Sequence, residues 1–385
     1  MGKNIIICCD GTSLDIGDRR SNVVKLYAVL QRVPDQQIVY YDPGVGTPST
    51  YNSFIPITKK LKNILGLSFG YGLSDNIVDA YRFLMQCYEE GDQLYFFGFS
   101  RGAYTVRALA GLIDTCGLLH ANSQNLIPEA MRIYSDRSKK DIAVIFKQTF
   151  SRPCTVHFLG LWDTVSSVGW VYNPVTLQAT STNQSVKYVR HAISIDERRA
   201  FFRQNLWGRL KPEDDQIRQD VKQVWFAGEH SDIGGSYPQE ESALSNIALE
   251  WMLTEARDKG MLIDEAKARE AVTIKIKDKV IDHPHLQPQH ESLTGFWYVA
   301  EIWLKIVRVN KGKDANGKSI WVSRPYFNLG RHRFMSRTYK NTLHESVLLR
   351  LQGREDYRPK NLMGICSDIN AIPEHFQIEK WVRLV

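Results

Sequence analysis

Short apolar runs bounded by turn residues recur along the chain: Asn4–Cys9, Gln37–Tyr41, Gln93–Gly98, Thr155–Trp162 and Lys222–Ala227. Leu94-Tyr95-Phe96-Phe97 is apolar at consecutive positions, which suits a strand covered on both faces, as in a parallel sheet. Between the runs, apolar residues recur at helical spacing. Ile77, Tyr81, Leu84, Met85 and Tyr88 share one side of a predicted helix, with Ser74 as its N-cap, Asp75 in its first turn and Gly91 beyond its end. Arg101–Ile113, with Ala103, Val106, Ala110 and Ile113 in step, and Ala243–Arg257 are also predicted helices. Strand alternating with helix predicts an α/β fold with right-handed crossovers.

Two further segments stand apart. Ile306–Asn310 and Ser319–Ser323 flank a lysine-rich stretch containing Asn316-Gly317, which predicts a β-hairpin with a basic tip. Residues 51–72 combine Phe54, Ile57, Leu61 and Leu65 with Lys59, Lys60 and Lys62, followed by Gly66, Gly70 and Gly72. This segment has two readings: a mobile basic cap suited to an anionic membrane surface, or a loop packed on the sheet with solvated lysines.

Composition narrows the class. Of 385 residues, 43% are hydrophobic and 24% charged, with a net charge of +7, which is globular rather than disordered. No apolar stretch reaches the roughly 18 residues of a membrane span. The first apolar run stops at Asp10, short of a secretory signal, and Ile6 breaks the myristoylation pattern that Gly2 begins. A cytoplasmic location is therefore expected by default, with signal-less export into a target cell as the alternative. The six cysteines form no CxxC pair, so reduced, packed thiols are expected, with Cys8 and Cys9 on opposite faces of one strand. The charge is too small and scattered for a nucleic-acid partner.

The chemistry lies at strand ends. Gly98-Phe99-Ser100-Arg101-Gly102 satisfies G-x-S-x-G, follows a buried strand and opens a helix, the context a nucleophile elbow requires. Such a turn strains the backbone of Ser100, and Gly98 and Gly102 allow neighbouring backbone to approach. A serine hydroxyl needs a base and the base an orienter, in the chain order serine, acid, histidine. Asp163 ends the run Thr155–Trp162, and His230 follows Val224-Trp225-Phe226-Ala227 after a short turn. Asp232 and Asp10 are alternative acids, although Asp232 also suits the turn with Gly234 and Gly235. Among other histidines, His191 and His157 sit within apolar runs, while His283, His285 and His290 sit in a Pro-rich segment without metal-ligand spacing. No metal or cofactor is expected. Asp10-Gly11-Thr12 ends the first strand, and the backbone amides of Gly11, Thr12 and Arg101 are candidate oxyanion donors.

Taken together, Cys9-Asp10-Gly11-Thr12, Gly98 through Ala103, Gly160-Leu161-Trp162-Asp163-Thr164-Val165, His191 through Arg199, Gly228 through Gly235, His344 through Val347 and Tyr357 through Leu362 resemble a known family. It is the α/β-hydrolase domain family that includes phospholipase effectors of type VI secretion systems. The resemblance implies an α/β-hydrolase-like fold, a mainly parallel sheet flanked by helices with cap insertions. It also implies a Ser–Asp–His hydrolase, often acting on phospholipid acyl esters, with the nucleophile at Ser100, the acid at Asp163 and the base at His230. The membrane-binding module and the export region of the secreted effectors are not recognisable. Residues 1–265 are expected to form the catalytic core, and residues 266–385 to pack on it as part of the same domain. The expected partner is a lipid or other acyl ester, with peripheral membrane contact. Two other functions use the same crevice: a catalytically silent lipid- or peptide-binding module, and an acyltransferase.

Overall fold

The computed structural model describes residues 2–11, 17–44, 69–165, 169–170, 173–174, 177–208, 219–276, 279–295, 297–298, 301, 305–313 and 319–384. Phe54, Ile57, Leu61, Leu65 and Thr12 lie outside the described residues. Eight strands form one sheet: β1 (Asn4–Cys9), β2 (Gln37–Asp42), β3 (Gln93–Phe99), β4 (Val156–Trp162), β5 (Val186–Ser194), β6 (Asp220–Phe226), β7 (Thr342–His344) and β8 (Gln377–Glu379). Their spatial order is β8-β7-β6-β5-β4-β3-β1-β2, and every neighbouring pair is parallel. This is an α/β-hydrolase-like fold. β1 and β2 run outward in one direction and β3 onward in the other, so the order reverses between β1 and β3, opening a crevice at their C-terminal ends.

Consecutive apolar residues divide between the two faces. Ile5, Ile7, Cys9, Leu94 and Phe96 enter the core beneath α2 (Phe69–Cys87) and α3 (Arg101–Cys116). Ile6, Cys8, Tyr95 and Phe97 enter the opposite core with α1 (Asn22–Val29) and α5 (Ala243–Arg257). Cys8 and Cys9 thus face opposite ways, and none of the six cysteines is disulfide-bonded. A third core, including Ile193, Trp225, Leu343, Val347 and Phe376, seals β7, β8 and α6 (Glu345–Gly353) against the sheet.

The expected N-cap at Ser74 is corrected: α2 begins at Phe69, and Ser74 lies exposed within it. Burial of Leu73 and Ile77 against the sheet outweighs the local capping signal. The hairpin is present as antiparallel strands Lys305–Lys313 and Ser319–Tyr326. Among the described residues, no helix is long and apolar enough to cross a membrane.

Close packing at the elbow constrains two glycines. A Cβ on Gly102 would stand 2.0 Å from the Cys9 carbonyl oxygen, and one on Gly98 would stand 2.4 Å from the Gly102 carbonyl oxygen. Backbone cannot step aside as a side chain can. Gly102→Ala is therefore expected to destabilise the fold by more than about 3 kcal/mol, the upper end of ordinary overpacking, measured by urea unfolding.

Candidate active site

Ser100 sits between β3 and α3 at φ 57°, ψ −115°, a conformation that L-residues rarely adopt and that tertiary contacts must hold. One such contact is its N–H, which donates to the Trp162 carbonyl at 3.0 Å. Asp163, the residue after that carbonyl, also has positive φ, 41°. His230 opens α4 (His230–Gly234), a single turn whose N-cap, Glu229, accepts from the Ser231 amide at 2.7 Å.

The three side chains meet. His230 Nε2 lies 2.9 Å from Ser100 Oγ, and His230 Nδ1 lies 2.5 Å from Asp163 Oδ2. All three residues are buried. The imidazole lies between the rings of Phe99 and Phe202, at centroid distances of 4.7 and 4.8 Å. Asp163 Oδ1 accepts the Ser194 amide at 3.0 Å, so the end of β5 orients the carboxylate.

Arg333, from the segment after the hairpin, grips the same carboxylate. Its Nη1 donates to Oδ1 and its Nη2 to Oδ2, the latter at 2.9 Å, while Nη2 also donates to the Phe202 carbonyl. Burial alone pushes the Asp163 pKa up. Arg333 and the His230 hydrogen bond outweigh it and hold the carboxyl well below the usual range. His230 moves below its ordinary value, because burial outweighs the pull of Asp163.

A second charged layer lies behind His230. Glu197 accepts the His230 amide at 3.3 Å, and Arg199 bridges Glu197 and Glu229, with 2.6 Å contacts to each. Burial raises Glu229, and it raises Asp196 to about 6; Asp196 accepts from the Gly228 amide and the Tyr357 hydroxyl.

The other candidates are placed differently. Asp10 accepts from Ser21 Oγ, from Tyr41 Oη at 3.0 Å and from the Gly11 amide at 2.7 Å. Asp232 accepts the Glu229 amide and both the amide and Nδ1 of His290, closing a capping box. Neither carboxylate has a hydrogen bond to the His230 imidazole. Gly11 approaches the nucleophile, since a Cβ there would lie 3.7 Å from Ser100 Oγ, but its N–H points to Asp10. His191 is buried on β5, accepts the Thr164 amide at 3.2 Å and is pushed down to about 3, chiefly by burial. His157 lies within 3.0 Å of the Lys259 carbonyl.

Arg333, Ser194, Glu197 and Arg199 are the site residues that motif reading leaves out. Ser194, Glu197 and Arg199 fall within the segment 191–199 singled out by resemblance. Arg333 meets its acid across 170 positions of chain, and no local pattern marks it.

An eight-stranded parallel sheet with a buried serine–histidine–aspartate array at its C-terminal edge defines an α/β-hydrolase-like protein. Residues 3–255 match the family described as the type VI secretion system Tle1-like phospholipase effector catalytic domain, and the chain belongs to that family. It is 38% identical to an uncharacterised protein of Saccharomyces cerevisiae over 222 residues, 53% of this chain and 32% of that protein, so it spans about a third of the relative's length. Among solved structures it is similar to an uncharacterised protein from Pseudomonas aeruginosa, at 20% identity and TM-score 0.42, covering 72% of this chain and 48% of that one. It is also similar to the Tle1 effector bound to the VgrG spike from the type 6 secretion system, at 20% identity and TM-score 0.35, covering 62% of this chain and 52% of that one.

Proposed function

We propose that this chain is a serine hydrolase that cleaves acyl esters of phospholipids through Ser100, His230 and Asp163. The observation that supports it is the His230 imidazole bonded at once to the Ser100 hydroxyl and the Asp163 carboxylate. His230 Nε2 takes the Ser100 proton as Oγ attacks the acyl carbonyl. The tetrahedral oxyanion lies at the start of α3, where the Arg101 amide and the helix dipole favour negative charge. Gly11 and Thr12 are the further donors in this reading, and Gly11 serves once its bond to Asp10 opens. Collapse of the intermediate breaks the ester bond, and His230 passes its proton to the leaving alcohol. Water then attacks the acyl-enzyme, His230 accepts a proton from it, and release of the fatty acid returns that proton to Ser100. Asp163 remains ionised throughout, holding the Nδ1 proton and stabilising the transient imidazolium.

Two measurements on purified protein test this together. A fluorophosphonate is expected to label Ser100 stoichiometrically, and phospholipid vesicles are expected to release fatty acid in proportion to unlabelled enzyme. Labelling confined to other residues, or fatty-acid release that persists after Ser100 is fully modified, would sink the proposal.

A further inference from the structure

Between Phe327 and Phe334 the usual relation between burial and polarity is inverted at five positions. Asn328 and Arg333 point inward and are buried, whereas Phe327, Leu329 and Phe334 are 45%, 63% and 73% exposed. The inward groups are committed. Asn328 Nδ2 donates to the Arg198 carbonyl and to Glu301, the Gly330 amide donates to Glu301, and Arg333 holds Asp163. Glu301 also accepts the Ala200 amide, so one buried carboxylate staples this segment to the loop that carries Phe202 against His230. Gln204 donates to the Phe334 carbonyl at 2.8 Å, a second tie between the two loops.

Leu329 sharpens the point. Its φ is 52°, a left-handed conformation that glycine or asparagine adopts more readily, yet the position carries an exposed leucine. Large apolar side chains grouped on a surface mark a binding face. The charges carried by the two loops themselves have one sign. Residues 327–340 contain Arg331, Arg333, Arg337 and Lys340 without an aspartate or glutamate, and residues 198–208 add Arg198, Arg199 and Arg203, again without an acid. Of the acids that touch these loops, Asp163, Glu197, Glu229 and Glu301 are buried, and exposed Glu291 pairs with Arg198 at 3.5 Å.

We infer that this inside-out segment is an interfacial docking surface for anionic phospholipid bilayers, seating Phe327, Leu329 and Phe334 among acyl chains with Arg331 and Arg337 at the phosphates. The choice of partner rests on the lipid-hydrolase reading. The same loops that orient His230 and Asp163 would then meet the membrane, so docking and the site share one scaffold. An apolar contact that enters the acyl region combined with cationic contact to headgroups gives reversible surface binding without a spanning helix.

The test uses full-length Ser100→Ala protein, so binding is read without hydrolysis. Flotation is compared between phosphatidylcholine vesicles and vesicles containing phosphatidylglycerol, at low and high salt. Binding is expected to the anionic vesicles, weaker at high salt. Leu329→Asn combined with Phe334→Ser should lower the partition coefficient at least about tenfold, given the area each side chain buries. Asparagine suits the left-handed position, so the melting temperature of the Leu329→Asn single variant should not fall. Arg331→Glu should weaken binding at low salt more than at high salt. Equal binding by parent and double variant, or no preference for anionic vesicles, would overturn the inference. So would lipid-free self-association abolished by the same variants in a protein that ignores vesicles. If wild-type protein docks by these rules and releases no fatty acid, the proposed function fails while docking stands.

Discussion

Replacing His230 with alanine is expected to lower kcat on an ester substrate by roughly 10⁴- to 10⁶-fold, with Ser100→Ala falling in the same range. In the proposed mechanism the loss is large because the serine is activated through its contact with Nε2, and Nε2 is a base only while Nδ1 carries the proton that it donates to the ionised Asp163. Groups that act as one unit are not additive. The double variant Ser100→Ala, His230→Ala should therefore be no slower than either single one. Steady-state rates on a soluble ester check this, and multiplicative losses would show that the two residues act in separate steps. Asp163→Asn should cost roughly 10⁴-fold, because an amide can hold the imidazole in the wrong tautomer.

Arg333→Met is expected to change both stability and pH dependence. The guanidinium and Asp163 are both buried, with side chains 4% and 1% exposed, and removing one partner leaves an uncompensated charge. Breaking such a pair typically costs about 3–5 kcal/mol. Urea unfolding at neutral pH measures the loss. Because the Asp163 pKa is depressed on folding, the wild-type carboxylate contributes stability above its unfolded value near roughly 4, and this is lost as pH falls through the depressed folded value.

The kinetic effect has the opposite origin. His230 must be neutral to act as a base, and its lowered pKa keeps it neutral further into acid than an exposed histidine. The charges facing it are Asp163 and Glu197, which raise that pKa, and Arg199, which lowers it, with Arg333 neutralising Asp163 from behind. Without Arg333 the carboxylate acts on the imidazole with its full charge, so the acid limb of kcat/KM should move to higher pH. Arg333→Lys restores charge but not the two-pronged grip, and should recover part of the shift. A variant that lost only amplitude, with its acid limb unmoved, would mark Arg333 as structural scaffolding alone.

Much of this candidate site is legible in the sequence because its three side chains sit where hydrophobic runs stop. Ser100 and Asp163 each follow a strand buried along nearly its whole length, and such strands announce themselves as apolar stretches, whereas the strand before His230 is buried only over Val224-Trp225-Phe226 and gives a shorter signal. The period of two along a strand likewise places Cys8 and Cys9 on opposite sides of the sheet. Other features were silent for physical reasons. β7 and β8 have three residues each, too few to show any period. The start of α2 follows the sheet surface it covers, so Ser74, a good capping residue, marks no boundary. Arg333 is one of many arginines until folding brings it to a carboxylate, since an ion pair between distant segments leaves no mark on either neighbourhood.

That remote pairing has a consequence for how the protein comes into being. Residues 3–255 carry the family's catalytic match, yet the cation that neutralises the acid arrives only with residue 333, and the sheet gains its last two strands at 342–344 and 377–379. A nascent chain leaving the ribosome therefore holds a bare aspartate in a half-built pocket until residue 333 and the strands after it have emerged. A polypeptide cut off at the matched boundary would carry Ser100, Asp163 and His230 without the counter-ion that Arg333 supplies to the carboxylate.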